Sequence, residues 1–88
     1  MATLSMFYGI VVLMYNETGG RHHKPHIHAR FAEFECSIDF EGCVLEGYLP
    51  GKKLALLRAW IVLHDDELNA NWRLLGEGGA AFRIDPLR

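Results

Sequence analysis

Eighty-eight residues, half of them hydrophobic and 23% charged, suffice for one core and leave too little apolar area for a second. A formal net charge of −2 argues against a protein held to nucleic acid mainly by phosphate contacts and leaves room only for a local basic patch. Two cysteines are too few for a disulfide framework or a zinc ribbon.

The whole chain, residues 1–88, is expected to form one α+β domain. It would be an antiparallel sheet of four to five short strands, with one face packed on a C-terminal amphipathic helix kinked or split near His64. Taken from the N-terminus, the longest apolar stretch is Leu4 to Tyr15. It is too short to span a bilayer and no basic run precedes it. Neither a membrane anchor nor a signal peptide is expected, and the expected compartment is the cytoplasm, with both thiols reduced. Within that stretch Gly9 to Tyr15 is β-branched and apolar on both faces, the pattern of an interior strand buried on two sides. Asn16 to Gly20 reads as a loop, continued by Arg21, His22, His23 and Lys24 up to Pro25.

Two alternating segments follow. Ile27, Ala29 and Phe31 are apolar between His26, His28 and Arg30; Phe34, Cys36, Ile38 and Phe40 are apolar around Glu35, Ser37 and Asp39. Period two means strands with one buried face. A two-residue turn at Ala32-Glu33 would pair Phe31 with Phe34, Ala29 with Cys36 and Ile27 with Ile38 on the inner side. On the outer side Arg30 would meet Glu35, His28 would meet Ser37, and His26 would meet Asp39. Ala32 is the discordant residue, because such turns favour Gly, Asn or Asp. Glu41-Gly42 marks a second turn, expected to pair Phe40 with Cys43, Ile38 with Leu45 and Cys36 with Gly47. Both cysteines would then be small buried side chains on one face, about 13 Å apart and too far for a disulfide.

Pro50-Gly51 ends the sheet. Leu54, Leu57, Ile61, His64, Leu68, Trp72 and Leu75 recur at spacings of three and four, an amphipathic helix able to lie on the sheet. An unbroken helix from Lys52 to Leu75 would run about 36 Å, against ~13–20 Å for short strands, which is why a break is expected at His64-Asp65. Asp65, Asp66 and Glu67 suit the start of a second helix. Gly76 to Gly79 stops it, and Ala81 to Ile84 has the composition of a last short strand.

The candidate chemistry lies at His26 and His28. Two histidines at i and i+2 on a strand point to one face, so both imidazoles can reach one ion. Asp39 opposite His26 would be a third ligand or the partner that sets its tautomer, with His22 or His23 folding over from the loop. Nitrogen and oxygen donors without thiolate suit a divalent transition metal such as zinc, nickel or non-haem iron. The same residues could serve acid–base chemistry without a metal. His26 with Asp39, helped by Arg30 or Lys24, would then cleave a phosphodiester. Ser37 opposite His28 is the only hydroxyl near a base. His64 lies on the apolar helix stripe, where a core-edge histidine is the simpler reading, and it faces the other layer if His26 and His28 point away from the helix. Arg21, His22, His23, Lys24 and Arg30 form a local cationic patch beside Tyr15 and Tyr48, a nucleic-acid surface opposed by Glu17, Glu33 and Glu35. Lys52, Lys53 and Arg58 read as a solvated helix face, and Trp60 and Trp72 as core or interface anchors.

The chain as a whole resembles a family of small bacterial proteins of unknown function. The resemblance rests on Leu4 to Ile10, on Pro25-His26-Ile27-His28-Ala29 where the family has Pro-His-Phe-His-Ala, and on Leu45-Glu46-Gly47 with Leu49-Pro50. It continues through Trp60, His64, Glu67-Leu68, Asn71-Trp72 and Ile84-Asp85-Pro86-Leu87. The chain departs from it in Ile27 for Phe, in Ala32 for Gly, and in the added loop Glu17 to His23. The resemblance implies one half of a two-protein, toxin–antitoxin-like module, with His26, His28, His64 and Trp72 as site or scaffold positions. Two functions therefore stand side by side. One is an interaction module that binds a protein partner, or a second copy, through a sheet edge or open sheet face, with Val44, Tyr48 and the histidines presented. The other is a small metal-binding or histidine-dependent enzyme of the phosphodiesterase or ribonuclease kind. A pH-responsive histidine interface is a third use of the same face.

Overall fold

A computed structural model of the chain describes residues 2–15 and 24–88. The loop Asn16 to Gly20 and Arg21, His22 and His23 lie outside the described residues. Five antiparallel strands form a meander in the order β1-β2-β3-β4-β5: β1 Ala2–Phe7, β2 Ile10–Met14, β3 His26–Phe31, β4 Phe34–Asp39 and β5 Val44–Gly47. Two helices follow, α1 Gly51–Leu63 and α2 Asp65–Gly76. No helix among the described residues is long and apolar enough to cross a membrane.

The strand expected over Gly9 to Tyr15 is β2, and a further strand, β1, precedes it in the same apolar stretch. Tyr8 and Gly9, both at positive φ, turn β1 back on β2 with Phe7 opposite Ile10. β2 is interior and buried from both sides, as its composition requires: Ile10, Val12 and Met14 join the core, while Leu13, only 2% exposed, opposes His28 on the other face. β3 and β4 pair in the expected register at all six positions, from His26–Asp39 to Phe31–Phe34.

The β4–β5 pairing departs from expectation after its first pair. Cys36 does oppose Gly47, but a bulge between Ser37 and Ile38 places Val44, not Leu45, opposite Ile38. The cause lies in the turn. Gly42 takes φ +88°, its N–H donates to the Asp39 carbonyl, and the Asp39 N–H donates to the Cys43 carbonyl. This three-residue loop with a left-handed glycine inserts an extra residue, as such hairpins do. Phe40 and Cys43 consequently leave the ladder, and Cys43 is exposed while Cys36 stays buried.

The core lies on the sheet face carrying Ile27, Ala29, Cys36 and Ile38. α1 covers it with Leu57, Trp60 and Ile61, and α2 adds Leu68. The helix breaks at His64 (φ −119°, ψ 27°), although the N–H of His64 still donates to Trp60 and the carbonyl of His64 accepts from Leu68. The break turns α2 back across the sheet end instead of past it. Ala81 to Ile84 does not form a strand. That segment is instead strapped down by scattered hydrogen bonds. The buried Asn71 amide brackets the N–H and C=O of Phe82, the Trp60 indole donates to the Asp85 carbonyl, and the N–H of Ile84 donates to the Leu4 carbonyl. Leu4 is the bulged residue of β1, so its carbonyl is turned out of the ladder to receive Ile84.

Candidate functional site

The two strand histidines share a face, as parity demands. Their ring centroids are 5.3 Å apart in an edge arrangement. They sit in the middle of a run of rings. His28 meets Tyr15 of the β2 end edge-on at 4.5 Å, and His26 meets Trp72 of α2 at 5.3 Å, with Phe40 beyond it at 6.3 Å. His26 is thus 1% exposed and covered by a helix residue, whereas an open outer face was expected for it. The reason is position: β3 begins at His26, at the sheet end that α2 crosses. His28, two residues further in, is only half-buried.

Hydrogen bonds orient both imidazoles. Nδ1 of His26 lies 2.7 Å from the Lys24 carbonyl, which can only accept, so Nδ1 carries the proton and Nε2 is the basic nitrogen of the neutral ring. Pro25 holds Lys24 in the extended geometry that offers this carbonyl. Nδ1 of His28 lies 3.3 Å from the Ser37 hydroxyl, across the expected pair. Arg30 donates through Nε to Glu35 at 2.9 Å and through a terminal nitrogen to the Tyr15 hydroxyl at 3.2 Å. The face is therefore a connected polar and aromatic array across β2, β3 and β4.

Asp39 stands opposite His26 as expected, and its carboxylate is bonded by its own turn and by Lys24. Its Oδ1 accepts the backbone N–H groups of Glu41 and Cys43, both at 2.9 Å, and its Oδ2 accepts from Lys24 Nζ at 2.9 Å. Burial opposes its ionisation, but the Lys24 ammonium and the two backbone donors outweigh burial and hold the carboxyl below the usual carboxylate range. Lys24 also meets Glu41 at 2.9 Å, and bonding to Asp39 and then Glu41 raises its own pKa. Asp39 and Phe40 face α2 across a cavity of about 240 Å³ shared with Lys24, Pro25, Glu41, Asp65 and Asn69. Among the described residues no three His, Cys, Asp or Glu side chains stand close enough to hold one metal ion.

The remaining candidates scatter. His64 is not with the strand pair: its Nδ1 bonds Glu67 Oε1 at 2.6 Å and its ring packs on Trp60 at 5.4 Å, a core-edge position held by a carboxylate. The cationic patch is neutralised where it is described, since Lys24 meets two carboxylates and Arg30 meets Glu35. Lys53 is not simply solvated; it bonds the Tyr8 carbonyl and stands 4.6 Å over the Phe31 ring. Cys36 is inert: burial, and after it Glu35, pushes its thiol up to about 11. Tyr15 and Trp72 are the site members that residue-by-residue reading underweighted. The signal for Tyr15 was available, because a residue two beyond Leu13, the partner of His28, falls on the same face.

No curated protein and no solved structure matches the chain. One family does: its model covers residues 9–73, a span holding both histidines, the Asp39 turn and the helix break, and the chain therefore belongs to the family described as domain of unknown function (DUF4160).

Proposed function

We propose that this chain is the interaction half of a two-protein, toxin–antitoxin-like pair, and that its partner adds to the β5 edge of the sheet. The supporting observation is the difference between the two edge strands. β1 already receives the Ile84 N–H on its bulged carbonyl. β5 ends the sheet with Val44, Glu46 and Gly47 exposed and Tyr48 60% exposed just beyond. The Tyr48 N–H donates inward to the Glu35 carbonyl, and no described strand lies on the other side of β5. An edge of this kind pairs with an incoming strand through main-chain hydrogen bonds, and Val44 and Tyr48 would supply side-chain contacts.

The test is co-purification and calorimetric titration with the protein encoded beside this one. A Val44→Lys, Tyr48→Lys double variant places charges on exposed edge positions and should abolish binding while leaving thermal unfolding within a few degrees of the parent. Unchanged affinity in that variant would rule the β5 edge out.

A second reading keeps the histidine face as a metal-binding or acid–base centre acting on phosphodiesters. The bond from His26 Nδ1 to the Lys24 carbonyl favours it, because fixing Nδ1–H in this way is how proteins present Nε2 as a base or ligand. Elemental analysis of untagged protein, and RNA cleavage by the parent against His28→Gln, test it. Protein free of transition metal whose cleavage is unaffected by His28→Gln would end this reading.

A further inference from the structure

Residues 81–88 form neither strand nor helix, yet Ile84 among them is buried in the core. The hydrogen bonds that hold them all reach main-chain atoms. Asn71 takes both polar groups of Phe82, the Leu4 carbonyl takes the N–H of Ile84, and the Trp60 indole takes the carbonyl of Asp85. A carboxamide offers one acceptor and one donor side by side, which matches the N–H and C=O of a single residue. Such contacts recognise a backbone whatever side chains it carries. Among the side chains of the segment only Ile84 is buried, while Phe82, Arg83 and Asp85 are exposed.

We propose that Leu4, Trp60 and Asn71 form a peptide-binding groove, and that residues 81–88 are its releasable occupant in cis. The ligand in trans is a peptide segment of a partner chain. It carries a branched aliphatic residue two places after the residue that Asn71 brackets, as Ile84 follows Phe82. The link to α2 permits release. Residues 76–80 are all exposed, and a Cβ at Gly76 or Gly78 would meet nothing within 4 Å. No ladder of strand pairing has to be broken either. Departure of the segment alone is unfavourable, because Asn71 is 0% exposed and would lose the partners of both its polar atoms. A hole the size of the Ile84 side chain would open beside it. A second peptide backbone with an aliphatic anchor repairs both defects, which is why the exchange partner is a peptide. The groove lies against β1, at the opposite edge of the sheet from β5. It therefore goes beyond the proposed β5 edge function and does not depend on it.

The test uses the full chain and a fluorescein-labelled peptide of residues 80–88, read by anisotropy. Ile84→Asp in the chain releases its own segment. This variant should stay folded by circular dichroism and bind the peptide with a Kd of about 10–100 µM. The parent should bind at least about thirtyfold more weakly, because its own segment fills the groove in nearly every molecule. Ile84→Asp in the peptide should abolish binding, whereas Phe82→Ala or Asp85→Ala in the peptide should change it less than about threefold. Adding Val44→Lys and Tyr48→Lys to the Ile84→Asp chain should leave peptide binding unchanged, so that failure of the groove and failure of the β5 edge are told apart. In the parent, the amides of Phe82 and Ile84 should exchange with deuterium at least about a hundredfold faster than those of the β3–β4 ladder. An Ile84→Asp chain that unfolds, or exchange at Phe82 and Ile84 as slow as in the ladder, would make the segment an integral part of the core and overturn the inference. So would a folded variant that ignores the peptide, equal binding by variant and parent, or undiminished binding of the Ile84→Asp peptide.

Discussion

The β3–β4 and β4–β5 hairpins share a strand, yet they are held in register by different means. In β3–β4 the side chains decide: six consecutive pairs alternate inward apolar contacts with outward polar ones, and a slip of one residue would invert every one of them. In β4–β5 the backbone decides. Gly42 and Gly47 both sit at positive φ, Asp39 clamps two N–H groups of the turn, and the strand carries a bulge that no alternation of hydrophobicity announces. Side-chain patterning is spread over many weak contacts, whereas backbone geometry is concentrated in a few residues. The second hairpin should therefore break at single positions and the first should not.

The largest effect is expected at Gly47. A Cβ there would collide with the carbonyl oxygen of Glu35 and stand 2.9 Å from the Cα of Cys36, and its φ is +85°. Both obstacles are backbone, so neither can rotate away, and the Glu35 carbonyl is also the acceptor for Tyr48. Gly47→Ala should cost about 3 kcal/mol or more, read by chemical denaturation, and should release β5 from β4. The Ala29→Gly substitution in the first hairpin, an inward pair partner of Cys36, should cost only about 1 kcal/mol. Equal losses would mean that the two hairpins are not held differently after all.

Asp39 comes next. Asp39→Ala strips the acceptor from the Glu41 and Cys43 N–H groups and should cost about 2 kcal/mol. Asp39→Asn keeps an oxygen in place for those donors and loses only the ion pair with the half-exposed Lys24, so it should cost about 1 kcal/mol or less. The pH dependence follows from the same geometry. The folded carboxyl is held below its unfolded value, so its contribution is fully present above about pH 4 and is lost as pH falls through the folded value. Acid titration of unfolding free energy should therefore drop below pH 4 in the parent and be flatter in Asp39→Asn. Parallel titration curves would show that the clamp is not the acid-sensitive element.

The same division explains what could be read from residues alone. The α+β class, the β3–β4 register, the shared face of His26 and His28 and the helix break at His64 all follow from periodicity and length, which are properties of many residues together. The bulge, the exposure of Cys43 and the Tyr8-Gly9 turn that pairs β1 with β2 depend on one or two backbone torsions each. Ala81 to Ile84 carries strand-like side chains but binds through Asn71, Trp60 and the bulged Leu4, partners far away in the chain. At the candidate site, parity located the imidazoles, but it could not foresee that Trp72 covers His26 or that Asp39 is committed to its own turn. Both depend on where α2 crosses the sheet end, a tertiary matter.

The smallest effect sharpens the comparison from the other side. The β3–β4 turn contains one backbone anomaly, Ala32 at φ +52°, a region in which Cβ crowds the backbone. The register survives there because six pairs outvote one strained residue. Ala32→Gly removes that strain but adds freedom to the unfolded chain, so the net gain should be about 0.5–1 kcal/mol, a rise in Tm of roughly 3–6 °C. Glu33, the second residue of the same turn, is not at positive φ, so Glu33→Gly has no strain to relieve and should lower Tm slightly. Opposite signs at adjacent positions would locate the strain at Ala32, and a destabilising Ala32→Gly would show that the left-handed residue of this turn is held without cost by its neighbours.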